Sequence, residues 1–190
     1  MGRRGGTWVQ RWRVPLGFVC AGLFLILAKP DRRSLAIGGA VALLGLLIRA
    51  WASGHIRKNA QLAVSGPYAH TRNPLYLGSF ILGLGFTIAA ASSLWLFLIL
   101  CVLFASLFLG IYVRVMSVEA ETMAEMFGED YRRYAEAVPL LFPRLTPYRA
   151  VDSDALSFDL SLYLRYREYR AALGLLVAWC VLVLKAILAI

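Results

Sequence analysis

The sequence predicts an all-α integral membrane protein of about five transmembrane helices, and three observations predict it. The 190-residue chain is 60% hydrophobic with a mean hydropathy of +0.67, whereas soluble domains run at roughly 45–50% apolar even with glycine counted. The excess is gathered in long uncharged runs close to the length a bilayer needs, such as Ala171 to Ile190. Short polar loops separate the runs, among them Lys29 to Arg33 and Ser92-Ser93.

The first run, Val14 to Ala28, follows Arg3, Arg4, Arg11 and Arg13. No small-residue cleavage site comes after it, so it reads as a retained membrane helix, not a signal peptide. Ser34 is the expected N-cap of the second span, Leu35 to Trp51, whose glycines and alanines suit close packing. Arg49 near its end is expected to snorkel. Ser53 to Arg72 is polar and holds the turn signal Ser65-Gly66-Pro67. Leu75 to Ala91 and Leu94 to Val113 are the third and fourth spans, and Ser92-Ser93 leaves room only for a tight hairpin between them.

After Arg114 the pattern turns amphipathic, with Met123, Phe127, Tyr131 and Tyr134 at helical spacing. Gly128 is expected to bend or split this helix. Pro139, Pro143 and Pro147 force an extended segment. Asp152 to Arg170 is mixed and reads as interfacial; Ala171 to Ile190 is the fifth span, with Lys185 snorkelling from it.

The chain carries 20 Lys+Arg against 11 Asp+Glu, a net charge of +9. The arginines are dispersed between apolar spans, which points to cytoplasmic flanks beside anionic lipid and away from nucleic acid. With five spans, the N-terminus, the loop from His55 to Arg72 and the region from Arg114 to Arg170 share one basic, cytoplasmic side; Lys29, Arg32 and Arg33 lie opposite. The three cysteines fall inside apolar runs, and the two histidines join no cluster at ligand spacing, so no metal site is expected. Residues 1–190 read as one membrane domain without internal repeats.

Gly66 to Gly85, GPYAHTRNPLYLGSFILGLG, concentrates the polar chemistry. Asn73-Pro74 is a strong helix start: Asn caps free N–H groups and Pro fits the first helical position. Two readings are open there, a well-capped membrane helix or an anion site made of free N–H groups. The hairpin returns Glu119 and Glu121 toward Tyr68, His70, Arg72, Asn73 and Tyr76. Again two readings are open: a salt bridge from Arg72 to Glu119, or a pocket with donors for an anion, Glu119 for a cation and tyrosines for a flat ring.

GPYAHTRNPLYLG, followed by EAETMAEMFGEDYRRYAEAVPLLFP, resembles the isoprenylcysteine carboxyl methyltransferase family and its relatives the phospholipid methyltransferases. The resemblance runs from Leu62 to Pro143, which makes 62–143 the core and 150–190 an added interfacial segment and span. It implies S-adenosyl-L-methionine-dependent methyl transfer in a cytoplasmic cofactor pocket formed by the hairpin and its flanking segments. Carried over position by position, it implies that Leu62, Tyr68, Asn73, Pro74, Leu75, Tyr76 and Glu119 contact the cofactor, with Arg72 bracing the pocket.

Three departures stand out. Asn73 replaces the family's His, Ala120 replaces the second Glu of its pair, and Val115 stands where the prenylcysteine enzymes place a substrate-binding Arg. The neighbouring Arg114 points elsewhere on a helix. The acceptor is therefore expected to be lipid-like or a small membrane-soluble molecule, not specifically prenylcysteine. No catalytic base is assigned: Glu121 and His70 are expected to be solvated. The implied setting is a bacterial or archaeal inner membrane. The alternatives are a nicotinamide-dependent membrane reductase of related fold and a non-enzymatic transporter or scaffold.

Overall fold

The computed structural model describes residues 17, 19, 21–57, 61–149 and 157–188. They form an all-α membrane protein. A helix over 21–27 (α1) is followed by α2 (Arg32–Ser53), a 3-10 turn (Gly66–Ala69), α3 (Pro74–Ala89), α4 (Leu94–Ala137), α5 (Leu160–Arg165) and α6 (Tyr169–Leu188). By length and apolarity α2, α4 and α6 are each able to cross a bilayer, while α3 is apolar but has 16 residues. Ile99, Val102, Leu176 and Val177 stay exposed on them, as expected where lipid is the solvent and not where water is. The first expected span, Val14 to Ala28, lies partly outside the described residues, as does the start of the segment from Asp152 to Arg170.

Helix boundaries differ from expectation for local reasons. Asp31, not Ser34, caps α2: its Oδ1 accepts from the Ser34 backbone N–H at 2.7 Å, while the Asp31 N–H donates to the Ser34 hydroxyl at 2.9 Å. This reciprocal box satisfies two donors at the helix start. The α3 helix stops at Ala89, and the Ala90 carbonyl accepts the Lys29 N–H at 2.8 Å. The fourth span and the amphipathic stretch form one 44-residue helix, α4, interrupted where Gly128 adopts φ 53, ψ −124. The sequence-based bend therefore falls where expected. A Cβ there would meet nothing within 4 Å, so backbone conformation, not space, selects glycine.

The chain forms two compact units, and α2, α3, α4 and α6 contribute to both. The first comprises Met1–Leu44, Phe80–Val115 and Leu173–Ile190. Its core gathers Phe24, Ala28, Ala89, Ala90, Leu100 and Leu182, with Trp179 and Phe104 against them. Here α2 and α3 meet backbone to backbone: a Cβ on Gly38 would lie 2.5 Å from the Ala89 nitrogen, and one on Gly85 2.4 Å from the Ala42 nitrogen. Such contacts between small residues are how helices gain packing in lipid. Lys185 has partners in α1. Its Nζ donates to the carbonyls of Leu25 at 2.9 Å and Ile26 at 3.1 Å, groups left free at the end of α1. In the same unit Val115 is buried and Arg114 exposed.

The second unit comprises Gly45–Ser79 and Met116–Ala172. One of its clusters packs Ala52, Ala63 and Tyr68 with Ile56 and Leu75. Another packs Tyr131, Tyr134 and Val138 with Leu62, Val64, Met123 and Phe127. The amphipathic spacing seen in the sequence thus has a tertiary cause. All the expected site residues belong to this unit.

Candidate functional site

The polar stretch that precedes α3 is held in place on both of its edges. Gly66, at φ +58, lies against the His55 imidazole, which a Cβ would approach within 2.6 Å. His55 is buried, with Nδ1 2.9 Å from the Trp51 carbonyl oxygen. The other edge is zipped to the proline-rich segment. The Arg72 N–H donates to the Pro139 carbonyl at 3.0 Å, the Arg144 N–H to that of His70 at 2.9 Å, and the Tyr148 N–H to that of Ala69 at 2.9 Å. Thr71 Oγ1 donates to the Leu141 carbonyl at 2.9 Å. The prolines keep residues 139–148 irregular and out of helix, which frees their backbone groups for this pairing.

Side chains complete the fastening, and here expectations change. Asn73 Nδ2 donates to the Leu140 carbonyl at 2.9 Å, so its amide also ties the loop down, while its backbone carbonyl accepts the Leu77 N–H at 3.0 Å at the start of α3. His70 is half-buried, and its Nδ1 lies 2.8 Å from the Arg144 carbonyl oxygen. No salt bridge joins Arg72 to Glu119. Arg72 Nη1 reaches the Tyr131 hydroxyl at 3.4 Å, and Arg72 Nε is buried without a partner. Glu121 is exposed, as expected.

The expected site residues fall into two adjoining groups. Leu62 packs with Tyr131 and Tyr134, and Asn73 and Arg72 face the loop and Tyr131. Pro74 is fully buried at the start of α3. Leu75 packs against Tyr68, and the Tyr76 hydroxyl donates to Glu119 Oε1 at 2.8 Å. Tyr68 links the groups: its carbonyl accepts from the Tyr134 hydroxyl at 2.7 Å.

The phenol of Tyr68 is 6% exposed, and its hydroxyl has no partner. Burial pushes it well above the ordinary phenol range, and the negative potentials of Tyr134, Glu168 and Glu119 add to the shift. Burial likewise raises Tyr134, with Tyr131 adding and Arg72 opposing. Tyr68 is therefore a permanent donor, placed within electrostatic reach of two carboxylates. A buried donor left unpaired costs about 1–3 kcal/mol. Such groups call for an explanation, and a ligand is one. Glu119 is half-buried and has no ion-pair partner among the described residues.

Sequence reasoning missed the neighbouring ion pair. Arg49 Nη2 meets both Glu168 oxygens, at 3.0 and 2.7 Å. Its Nη1 donates to the Leu75 carbonyl at 3.2 Å and to Ser79 Oγ. The available signal was a cation inside an apolar run, which by itself marks a candidate site. Among the described residues no group of three or more His, Cys, Asp or Glu side chains is placed to hold a metal.

The phospholipid methyltransferase pattern matches residues 34–130, about half of the chain. The match reaches further toward the N-terminus than the motifs read from Leu62 onward, and it includes the second span. The chain is 35% identical over 147 residues to the cobalt-zinc-cadmium resistance protein CzcN of Cupriavidus metallidurans, covering 73% of this chain and 64% of that protein. It is 35% identical over 118 residues to the nickel-cobalt-cadmium resistance protein NccN of Alcaligenes xylosoxydans xylosoxydans, covering 58% of this chain and 52% of that protein. It thus spans between half and two thirds of the length of these relatives. No solved structure matches it significantly. The chain belongs to the phospholipid methyltransferase family.

Proposed function

We propose that the protein transfers a methyl group from S-adenosyl-L-methionine to a lipid-like or small membrane-soluble acceptor at the cytoplasmic membrane face. The observation that carries this reading is the Tyr76–Glu119 hydrogen bond, 2.8 Å long, beside the unpartnered buried hydroxyl of Tyr68. The donor set fits the cofactor. Tyr68 Oη and Arg72 Nε are buried donors without acceptors, which suits a carboxylate and ring nitrogens. Glu119 offers a negative charge not neutralised by any described cation, which suits a positive centre or ribose hydroxyls. Tyr68 and Tyr76 offer aromatic faces.

The cofactor supplies a methyl group already activated for attack by its sulfonium charge. The protein's task is then alignment and exclusion of water. Tyr76 holds Glu119 in one orientation. The Tyr131–Tyr134–Val138 cluster and the loop from Pro139 to Tyr148 fix the segment that carries Tyr68. Asn73 performs this fastening through Leu140, so the change from the relatives' His bears on loop position more than on the reacting atoms. Orientation with this unit toward the cytoplasm rests on the basic flanks. The resistance names of the two relatives suggest growth under toxic metal as the setting in which the product matters.

Membranes containing the protein, incubated with methyl-labelled cofactor, test the proposal. Label should appear in one extractable lipid or small molecule, and the Glu119→Gln variant should abolish it. Equal labelling in membranes lacking the protein would refute the proposal.

A further inference from the structure

Arg49 belongs to α2, a helix apolar enough to span a bilayer. A cation in such a helix is costly, and its surroundings here are built for it. Gly78 provides the seat: a Cβ at that position would lie 2.6 Å from Arg49 Cγ. Nη1 is fixed by the Leu75 carbonyl and by Ser79 Oγ. The opposite edge of the guanidinium is incompletely used. Both Glu168 oxygens approach Nη2, while Nε is buried and has no acceptor. A carboxylate or phosphate docked side-on takes Nε and Nη2 together, the stronger arrangement.

Glu168 is also held in an unusual way. It follows Arg167, the one non-glycine residue with positive φ (55) among those described, a conformation that L side chains disfavour. It lies outside the family-matched span of 34–130, on the link between α5 and α6. The entry to α5 is tied down by the Asp159 N–H donating to the Gly54 carbonyl at 2.9 Å and by Phe158 beside Gly54. The Arg49 and Glu168 side chains keep 21% and 14% exposure, so the pair is reachable from the surface. The helices that carry and flank it expose Leu47, Trp51, Leu160 and Leu164.

We propose that Arg49 is a binding position for the carboxylate or phosphate of an anionic amphiphile, and that Glu168 is its internal occupant until the ligand arrives. The incoming group takes the Nε–Nη2 edge, Glu168 turns out to solvent, and the apolar tail lies along the exposed leucines. Resting on the methyltransferase reading, this ligand is the methyl acceptor: Leu75, which Arg49 holds, precedes Tyr76, which holds Glu119.

The test uses the full-length protein in phosphatidylcholine nanodiscs without the methyl donor, with empty nanodiscs subtracted. The probes are oleate and dodecyl phosphate, with acetate and inorganic phosphate as free anions and dodecyl maltoside as the neutral amphiphile. The two amphiphilic anions should bind saturably and the neutral amphiphile should not. Glu168→Gln should tighten anion binding about tenfold, since an internal competitor acts at an effective concentration near millimolar. Adding Arg49→Gln to Glu168→Gln should abolish binding. Unchanged affinity in Glu168→Gln, or retained affinity in the double variant, overturns the proposal. Binding of acetate and phosphate as tight as that of the amphiphiles overturns the amphiphile assignment. Should Glu168→Gln fail to fold, hydrogen exchange on the wild-type protein decides: saturating oleate should speed exchange across residues 157–168, and no change overturns the proposal. Because the methyl donor is absent, failure here leaves the methyltransferase reading standing, and failure to bind S-adenosyl-L-methionine leaves this site standing.

Discussion

The Tyr76 hydroxyl donates to the Glu119 carboxylate at 2.8 Å across 43 positions of sequence. One partner lies in the first turn of α3 and the other a little past the middle of α4. A hydrogen bond to a charged group is worth about 1.5–3 kcal/mol, and this one orients the carboxylate. Tyr76→Phe should therefore weaken S-adenosyl-L-methionine binding by roughly tenfold to a hundredfold, the equivalent of that energy. Thermal unfolding should change little, since the ring is retained. Titration calorimetry beside a melting curve separates the two effects, and equal losses of both would make the bond structural.

Tyr68→Phe distinguishes a ligand donor from a packing residue. The hydroxyl is buried and unpartnered, so removing it should leave stability unchanged or raise it by about 1 kcal/mol. The same change should cost the ligand a hydrogen bond and weaken binding about tenfold. Lower stability with unchanged binding would show that the hydroxyl has a protein partner.

Alkaline pH should unfold the second unit before the first. Burial raises Tyr68 and Tyr134 above the ordinary phenol value of about 10. For a group whose folded value is raised, the stabilisation is fully present below the unfolded value and is lost as pH rises above it. Stability should hold below about pH 10 and fall above it, with phenolate absorbance from these two rings appearing only on unfolding. Tyr68→Phe should flatten the decline. Early phenolate signal from both rings in the folded protein would contradict the burial.

Gly38→Leu or Gly85→Leu should destabilise the first unit by about 1–3 kcal/mol or more, because the new side chain has to enter a backbone contact. Gly174→Leu, where a Cβ meets nothing within 4 Å, serves as the control. Detergent-solubilised melting temperatures measure both, and equal melting temperatures would mean that the close α2–α3 contact is absent.

Much of the fold was legible because its signals are local. Pro74 starts α3, Ser92-Ser93 turns the chain, and Gly128 interrupts α4, each through the φ preference or hydrogen-bonding capacity of the residue itself. The Tyr131 and Tyr134 spacing announced a buried face that the structure supplies. What was not legible depends on tertiary pairing. Asn73 donates its amide N–H to the Leu140 carbonyl, and a backbone acceptor carries no side-chain signature. Arg49 and Glu168 are 119 positions apart, and nothing in either local pattern names the other. Arg72 and Glu119 looked like natural partners by charge, yet each finds a tyrosine instead.

We propose that Tyr68, Tyr76 and Glu119 frame a site for S-adenosyl-L-methionine. Titration calorimetry of the purified protein in detergent tests it most directly, with wild type and Glu119→Gln compared after both pass the same melting and size-exclusion checks. Saturable one-to-one binding by the wild type and loss of at least tenfold in the variant are expected. No heat of binding from well-folded wild type, or equal affinity in the two proteins, would rule out a cofactor site at Glu119.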